Sequence, residues 1–226
     1  MGDRIMDLKE AMQVRHSVRS YLDQPIEAAI VAQLREEVEQ ANEESGLHLQ
    51  LVINEPKAFQ GGLAHYGSFS GVTDYLALVG PKGKQLEEAC GYYGERIVLK
   101  AQTLGLNSCW VGLTFKKIPG AFQVRNGEKL AAVIALGYGV TSGIAHKSKS
   151  VEEVSNVTIH SPDWFRNGVN AALNAPTAVN QQKFRLELQK DRVQATAGLG
   201  FFSRMDLGII KLHFELGSGK GNDIWI

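Results

Sequence analysis

The sequence comprises 226 residues, 44% hydrophobic and 21% charged, which is ordinary for a globular protein and argues against disorder. Lysine and arginine together number 24, as do aspartate and glutamate, so the net charge of zero gives no reason to expect nucleic acid or a membrane surface as a partner. The two cysteines form no disulfide framework, and no apolar run approaches the roughly 18 residues of a membrane span. Together with a polar N-terminal stretch unlike a signal peptide, these features predict a cytoplasmic protein.

The first 53 residues predict two helices and a strand. A noisy helical pattern covers residues 6–14, and a clearer one covers residues 26–42, where apolar residues recur at four-residue steps and share one face. Pro25 stands where the first turn of the second helix is expected. Residues 47–53 alternate between apolar and polar side chains, which is typical of a half-buried strand.

The middle of the chain predicts three strands and the longest helix. Residues 56–71 are rich in glycine and lack periodicity, which indicates a loop. The helix covers residues 84–104 and ends at Gly105, because glycine suits the left-handed conformation of a helix stop. The predicted strands are the apolar segments 75–79, 108–113 and 130–136.

Beyond residue 140 the composition changes, and a shorter set of elements follows. Residues 141–155 are polar and basic, which indicates a connector. A helix is predicted over 162–174, and a last helix over 205–216 ends at Gly217. Between them, residues 184–188 and 193–197 predict two strands joined by a turn.

The two parts of the chain share the order helix, strand, strand, helix. A short segment of the first, Ile97-Val98-Leu99-Lys100, is matched in the second by Gly208-Ile209-Ile210-Lys211. This favours an internal duplication, with a first half over residues 1–150 and a shorter second half over residues 151–226. The alternative is that unduplicated α+β chains also show such an order, and the sequence leaves it open.

One cluster of residues suits an anionic ligand. Arg15-His16-Ser17-Val18-Arg19 follows the first helix, and its two guanidinium groups and hydroxyl match the oxygens of a phosphate. Taken alone, these five residues favour a solvated basic turn.

Two further clusters suit a flat ring. Small residues in the segment 175–182 would let its backbone approach a ring closely, while Thr177, Asn180 and Gln182 offer hydrogen bonds. The segment 105–112 leads from a helix stop into a strand and can bring backbone amides near a ligand. Alone, the first is equally a helix-stop loop, and the second is more often core.

Together the three clusters resemble motifs of the nitroreductase family. The family's R-[RH]-S-x-R/K motif, with an aromatic residue after it, is matched by Arg15, His16, Ser17 and Arg19, followed by Tyr21. Residues 176–182 resemble its P-S-x-x-N-x-Q element, and residues 104–110 its Leu-Gly-Leu-Gly-x-Cys-Trp stretch. Residues 136–138, with the later Lys147 and Lys149, are similar to its late Leu-Gly-Tyr and basic pair.

One departure from ordinary members is informative. In those, the P-S-x-x-N element follows the first long helix and helps to build the other subunit's site, whereas here residues 41–46 have lost it. A good copy stands about 135 residues later. The resemblance therefore implies the putative nitroreductase subfamily, with a nitroreductase-like three-layer α+β fold and an internal duplication forming a single-chain pseudo-dimer. The first half would supply a phosphate clamp and the second a flavin-contacting loop to one FMN site per chain.

The resemblance also implies which residues bind FMN. The residues implied at the phosphate and ribityl chain are Arg15, His16, Ser17 and Arg19, with Lys147 or Lys149. Those implied along the isoalloxazine are Pro176, Thr177 and Asn180. The backbone of Trp110, Val111 and Gly112 is implied near N5 of the ring. No catalytic side chain and no metal are implied, since the flavin N5 would carry the chemistry.

The implied activity is that of an FMN-dependent NAD(P)H oxidoreductase. Hydride would pass from NAD(P)H through FMN to a nitroaromatic, a quinone or a similar small-molecule acceptor by a ping-pong mechanism. One alternative is an FMN-binding protein or sensor with little or no turnover, and another is related flavin chemistry such as reductive dehalogenation. Because the second half is already attached, the chain would work as a monomer (pseudo-dimer) or as a homodimer.

Two remaining features are interpreted as structural. Residues 217–221 look like a phosphate loop, but they lack its first glycine and the Ser or Thr after its lysine, so they predict a helix stop and tail. His213 falls within an apolar helix and is predicted to be a packed core residue.

Overall fold

The computed structural model describes residues 6–60 and 68–226, so part of the loop predicted at 56–71 lies outside the described residues. The described helices are α1 (Leu8–Val14), α2 (Ala28–Ser45), α3 (Leu86–Thr103), α4 (Val151–Val154), α5 (Asp163–Ala172) and α6 (Ser203–Ser218). The strands are β1 (Gln50–Val52), β2 (Asp74–Pro81), β3 (Asn107–Val111), β4 (Glu128–Gly137), β5 (Phe184–Gln189) and β6 (Arg192–Ala197). Short 3₁₀ turns cover Pro56–Phe59, Ala178–Asn180 and Asn222–Ile224.

A four-stranded antiparallel sheet with the order β1-β2-β4-β3 forms the centre of the first part. In β2, Leu76 and Leu78 pack into the core under α2 and α3, while Tyr75, Ala77 and Val79 face a second core on the opposite side. Alternate residues of a strand point to opposite faces. The continuous apolar run at 75–79 therefore reflects a strand that is covered on both faces.

Helices α3 and α6 cross with their backbones in close contact. Gly91 and Gly208, each the sixth residue of its helix, lie at this crossing. A Cβ atom on Gly91 would overlap the carbonyl oxygen of Met205, and a Cβ atom on Gly208 would overlap that of Glu88. Because glycine has no Cβ, it allows the two helices to approach this closely.

The order helix, strand, strand, helix is present in both parts, as α2-β1-β2-α3 and as α5-β5-β6-α6. The first part also carries β3 and β4, which complete its sheet, whereas β5 and β6 form a separate two-stranded hairpin. The α+β fold class is confirmed. The shared order agrees with a duplication, which stays a prediction.

Two predicted boundaries were wrong for local reasons. The strand predicted over 47–53 forms only at Gln50–Val52. The Asn42 side chain accepts from the Leu49 N–H at 2.7 Å and donates to its carbonyl at 2.9 Å, so Leu49 has no backbone group free for a ladder. The predicted connector contains α4, because Ser150 and Glu153 form a capping box at its start.

The end of α6 was also predicted wrongly. The helix continues through Gly217 to Ser218, and it stops at Gly219, whose φ is +68°. A Cβ atom on Gly217 would overlap the Ala171 Cβ, so this glycine allows α5 and α6 to pack closely. Of two glycines in neighbouring positions, one therefore serves packing and the other ends the helix.

No described helix is long and apolar enough to cross a membrane. Among the described residues, no group of three or more His, Cys, Asp and Glu side chains is arranged to hold a metal ion. Cys90 and Cys109 are buried and unpaired.

Candidate functional site

A cavity of about 640 Å³ lies between the segment after α1, the edge strand β3 and the start of α6. Its volume is in the range of sites that hold cofactors and other small molecules. Ten of the twelve residues predicted to bind a cofactor line it, whereas Lys147 and Lys149 do not. The ten are Arg15, His16, Ser17, Arg19, Trp110, Val111, Gly112, Pro176, Thr177 and Asn180.

The first wall is the extended segment that follows α1. The Val18 N–H donates to the Ser108 carbonyl of β3 at 3.0 Å, which fixes the segment along the sheet edge. Val18 and Tyr21 are buried in the core, and the Tyr21 hydroxyl donates to the Val18 carbonyl at 2.8 Å. With the backbone fixed in this way, Ser17 and Arg19 line the cavity.

Arg15 is a buried cation at this wall. The residue is only 3% exposed, and its Nε lies 3.6 Å from Oε1 of Glu95. Within the described residues, its Nε and Nη1 donate no hydrogen bond. A buried charged donor without an acceptor is costly. The guanidinium group therefore fits a ligand that brings acceptor oxygens into the cavity.

The charges around His16 point to the same kind of ligand. Burial, and then the neighbouring Arg15 guanidinium and His146 ring, lower the pKa of His16. Arg19 adds a further cation to the same wall. With Arg15 and Arg19 both at this wall, it favours an anion over another cation.

The opposite wall is the loop of residues 176–182, which α6 holds by one carboxylate. Asp206 accepts hydrogen bonds from the Ala178 N–H at 2.9 Å and from Nε2 of Gln181 at 2.7 Å. Within the loop, the Gln182 N–H donates to the Thr177 hydroxyl at 3.0 Å. These bonds shape the loop independently of any ligand.

Lys147 and Lys149 hold the same loop from its other side. The Lys147 carbonyl accepts from Nδ2 of Asn180 at 2.9 Å and from Nε2 of Gln182 at 2.8 Å. The Lys149 Nζ donates to the Gln182 carbonyl at 2.9 Å. The structure therefore engages the Lys149 ammonium in positioning the loop. The Asn180 amide is likewise held within the loop, since its Oδ1 accepts from Gln182 at 2.8 Å.

Backbone strain is concentrated in this loop. Val179 has a φ of +47°, and Asn180 and Gln182 also have positive φ values. Asparagine tolerates this region, but a β-branched residue there costs about 1–2 kcal/mol. Val179 is 93% exposed, so packing of its side chain contributes little to offset that cost. The hydrogen bonds of the loop hold it in this conformation.

Asp206 is expected to make stability depend on pH. Burial raises its pKa from 3.8 to about 6. Since the folded chain favours the protonated carboxyl, the Asp206 contribution to the free energy of unfolding falls by roughly 2–3 kcal/mol as the pH rises from about 4 to 6. We expect Asp206→Asn to remove this part of the pH dependence in urea unfolding measured across that range. Parallel pH profiles for the two proteins would contradict the assignment.

Strand β3 and the start of α6 form the floor of the cavity. Trp110, Val111 and Gly112 line it, and a Cβ atom on Gly112 would overlap the ring of Phe202. Phe202 has a φ of +56° as the N-cap of α6, and its ring also lines the cavity. Glycine at position 112 therefore leaves room for an aromatic side chain at the cavity floor.

Several residues of the site were missed by sequence reasoning. Asp206, Phe202 and His146 line the cavity, and Glu95 accepts from Nε1 of Trp110 at 2.8 Å directly behind it. Glu95 lies on α3 among other acidic residues, and Asp206 lies in the first turn of α6. In the sequence, both therefore look like ordinary exposed acids of a helix. The glycines within α3 could have indicated that Glu95 is buried, because glycine in a helix indicates that another helix packs closely there.

The sequence matches the family described as "Putative TM nitroreductase" over residues 7–218. No curated protein sequence is a significant match. Among solved structures, the chain is similar to one from Thermotoga maritima described as a putative nitroreductase, with 18% identity and a TM-score of 0.67, over 96% of this chain and 86% of that one.

Two further similar structures align with about two thirds of this chain. A nitroreductase family protein from Streptococcus pneumoniae has 14% identity and a TM-score of 0.53, over 66% of this chain and 98% of that one. A protein from Parabacteroides distasonis, described as a putative NADH dehydrogenase/NAD(P)H nitroreductase, has 15% identity and a TM-score of 0.51, over 69% and 99%. These likenesses establish a nitroreductase-like fold. Since the family match spans residues 7–218, the chain belongs to the "Putative TM nitroreductase" family.

Proposed function

We propose that the protein is an FMN-dependent oxidoreductase that uses NAD(P)H to reduce a small acceptor such as a nitroaromatic or a quinone. Membership of a nitroreductase family supports a general oxidoreductase role. FMN, the nicotinamide donor and the acceptor are the finer part of the proposal. They rest on the motifs of the sequence and on the geometry of the cavity.

The observation that carries the proposal is the buried guanidinium group of Arg15. Its Nε and Nη1 make no hydrogen bond in the described part of the chain, and the residue lines the cavity beside Ser17 and Arg19. Two arginines and a hydroxyl supply donors with the geometry that phosphate oxygens accept. The residues present therefore fit the phosphate of FMN.

The residues that line the cavity can be assigned to the separate parts of FMN. Arg15, Ser17 and Arg19 would hold the phosphate and ribityl chain, with His16 beside them. Pro176 and Thr177 would lie along the isoalloxazine on one side, and the backbone of residues 110–112 would approach it on another. FMN, when bound, supplies the transfer of two electrons, so the chain needs no nucleophile of its own.

One site per chain follows if both walls serve the same ligand. The segment 15–19 belongs to the proposed first half and the loop 176–182 to the second, and both line one cavity. The two proposed halves also pack directly on each other, where α3 and α6 cross at Gly91 and Gly208. These features support a single-chain pseudo-dimer, in which the attached second half replaces a partner subunit.

The proposal is tested by FMN retention and reduction. We expect the purified protein to retain FMN through desalting and to bleach on anaerobic addition of NADH or NADPH. Riboflavin is the matched control: it has the same ring and ribityl chain but no phosphate, so we expect much weaker retention.

Each outcome of this experiment decides a separate point. Retained FMN that fails to bleach with either nicotinamide would favour an FMN-binding sensor over an enzyme. Equal retention of riboflavin and FMN would contradict the phosphate site at Arg15, and no retained FMN would overturn the proposed function.

A further inference from the structure

A buried charge cluster lies directly behind the cavity wall. Glu95 of α3 and His213 of α6 are both 0% exposed. Oε1 of Glu95 lies 2.9 Å from Nε2 of His213 and 3.6 Å from Nε of Arg15, and Oε2 accepts from Nε1 of Trp110 at 2.8 Å. The prediction that His213 is a core residue is confirmed, but its ring is part of a polar network. Glu95 thus contacts two residues that line the cavity without lining it itself.

Two contacts fix the ring of His213. Nδ1 lies 3.3 Å from the Ala171 carbonyl, and Nε2 lies 2.9 Å from Oε1 of Glu95. The ring is therefore held between α5 and α3, and it in turn holds one oxygen of Glu95.

The guanidinium group of Arg15 forms an ion pair with Glu95. Glu95 is the one acid within ion-pair distance of the guanidinium group in the described residues. Breaking a buried ion pair is expensive, because the remaining charge is left uncompensated. His213 and Trp110 hold both oxygens of Glu95, so the carboxylate has little freedom to turn.

We propose that Glu95, held by His213, is a positioning residue that fixes Arg15 and Trp110 at the cavity wall and so controls how tightly the cavity binds FMN. This inference rests on the proposed function. It extends the site to two buried residues that touch no ligand. It also links α3 of the proposed first half to α6 of the second through one charge cluster.

The first experiment replaces Glu95 and compares it with a matched acid. We expect Glu95→Gln to weaken FMN binding by on the order of tenfold, measured by quenching of flavin fluorescence, as loss of a charge-assisted contact predicts. Glu215→Gln is the control. Glu215 is another buried acid at the same helix interface, bonded to Tyr92 and Trp225, and it does not line the cavity. We expect that control to bind FMN as the wild type does.

A double-variant cycle separates positioning from general destabilisation. If Glu95 acts through Arg15, then Glu95→Gln in an Arg15→Ala background should weaken FMN binding less than about threefold further. Without flavin, the same cycle is read by urea unfolding. Arg15→Ala and Glu95→Gln should each lower the free energy of unfolding, and the double variant should lose less than the sum of the two, because both single variants remove the same ion pair.

A second readout tests the contact of His213 with Glu95. His213→Leu keeps the ion pair of Arg15 and Glu95 but removes the ring that lies 2.9 Å from Oε1 of Glu95. We therefore expect FMN binding to weaken, while Glu215→Gln leaves it unchanged. Wild-type FMN affinity in His213→Leu would overturn the role of His213 in holding Glu95.

The outcomes separate this inference from the proposed function. Wild-type affinity in Glu95→Gln, or losses that multiply in the double variant, would overturn the positioning role while leaving FMN binding intact. A wild-type protein that binds no FMN would overturn the proposed function, and with it control of FMN binding by Glu95. The unfolding cycle would still decide whether Glu95 and Arg15 are coupled.

Discussion

Replacing Arg15 with alanine is expected to weaken FMN binding by at least about 2 kcal/mol, roughly thirtyfold in Kd, because a charge-assisted contact to the phosphate is lost. The effect is large because the guanidinium group is buried at the cavity wall, and its Nε and Nη1 have no acceptor among residues 6–60 and 68–226. Isothermal titration of the apoprotein with FMN measures the change. Unaltered FMN affinity in the variant would contradict the phosphate clamp.

Two further variants serve as controls for the effect of Arg15→Ala on FMN binding. Arg15→Lys preserves a positive charge opposite Glu95 but replaces the planar fork by a single ammonium, so we expect it to fold well and still bind FMN weakly. Arg35→Ala removes an exposed arginine of α2 that does not line the cavity, and we expect it to bind FMN with wild-type affinity. A loss in Arg15→Ala that is absent from Arg15→Lys would assign the effect to charge and not to the shape of the guanidinium group.

Replacing Gly208 with alanine is expected to destabilise the fold by about 2 kcal/mol. The added methyl group would overlap the Glu88 carbonyl oxygen and lie 2.7 Å from the Tyr92 backbone nitrogen. Both atoms belong to the backbone of α3, so no side-chain rotation relieves the clash and a helix must move. Overpacking of this kind costs about 1–3 kcal/mol or more, which exceeds the gain of up to about 1 kcal/mol in helix propensity. The free energy of unfolding in urea measures the effect.

Gly83→Ala is the matched control for this prediction. A Cβ atom on Gly83 meets nothing within 4 Å, and its φ lies outside the left-handed range. We expect a change within about 0.5 kcal/mol there. Equal stability of the two variants would mean that α3 and α6 do not cross as closely as the structure describes.

Local patterns in the sequence predicted much of this fold. The four-residue spacing of apolar residues in α2 and the continuous apolar run of β2 each follow from a face that must be buried. Gly105 was predicted to end α3, and it has a φ of +82°. These signals depend on neighbouring residues along the chain, and so they were readable without any tertiary contact.

The predictions that failed depend on what another segment brings into contact. Gly217 has the sequence context of a helix stop, but the approach of α5 makes it a packing residue. The phosphate contact of Lys147 or Lys149 stays a prediction; the Lys149 ammonium donates to the Gln182 carbonyl, and the Lys147 backbone carbonyl accepts from the Gln182 amide. Glu95 reads as one of several helix acids, and only the position of α6 makes it a buried member of a charge cluster. No local pattern indicates such pairings.

The strained loop around Val179 has a consequence for ligand affinity. Asp206 and the residues 147–149 hold the loop without help from a ligand. The loop therefore loses its conformational entropy when the chain folds and not when a ligand binds. A ligand meets a preorganised surface. Because that surface does not have to be assembled during binding, the free energy of its contacts is not reduced by the cost of ordering the loop. Substitutions that loosen the loop would then weaken ligands through disorder, even where no contact with the ligand is removed.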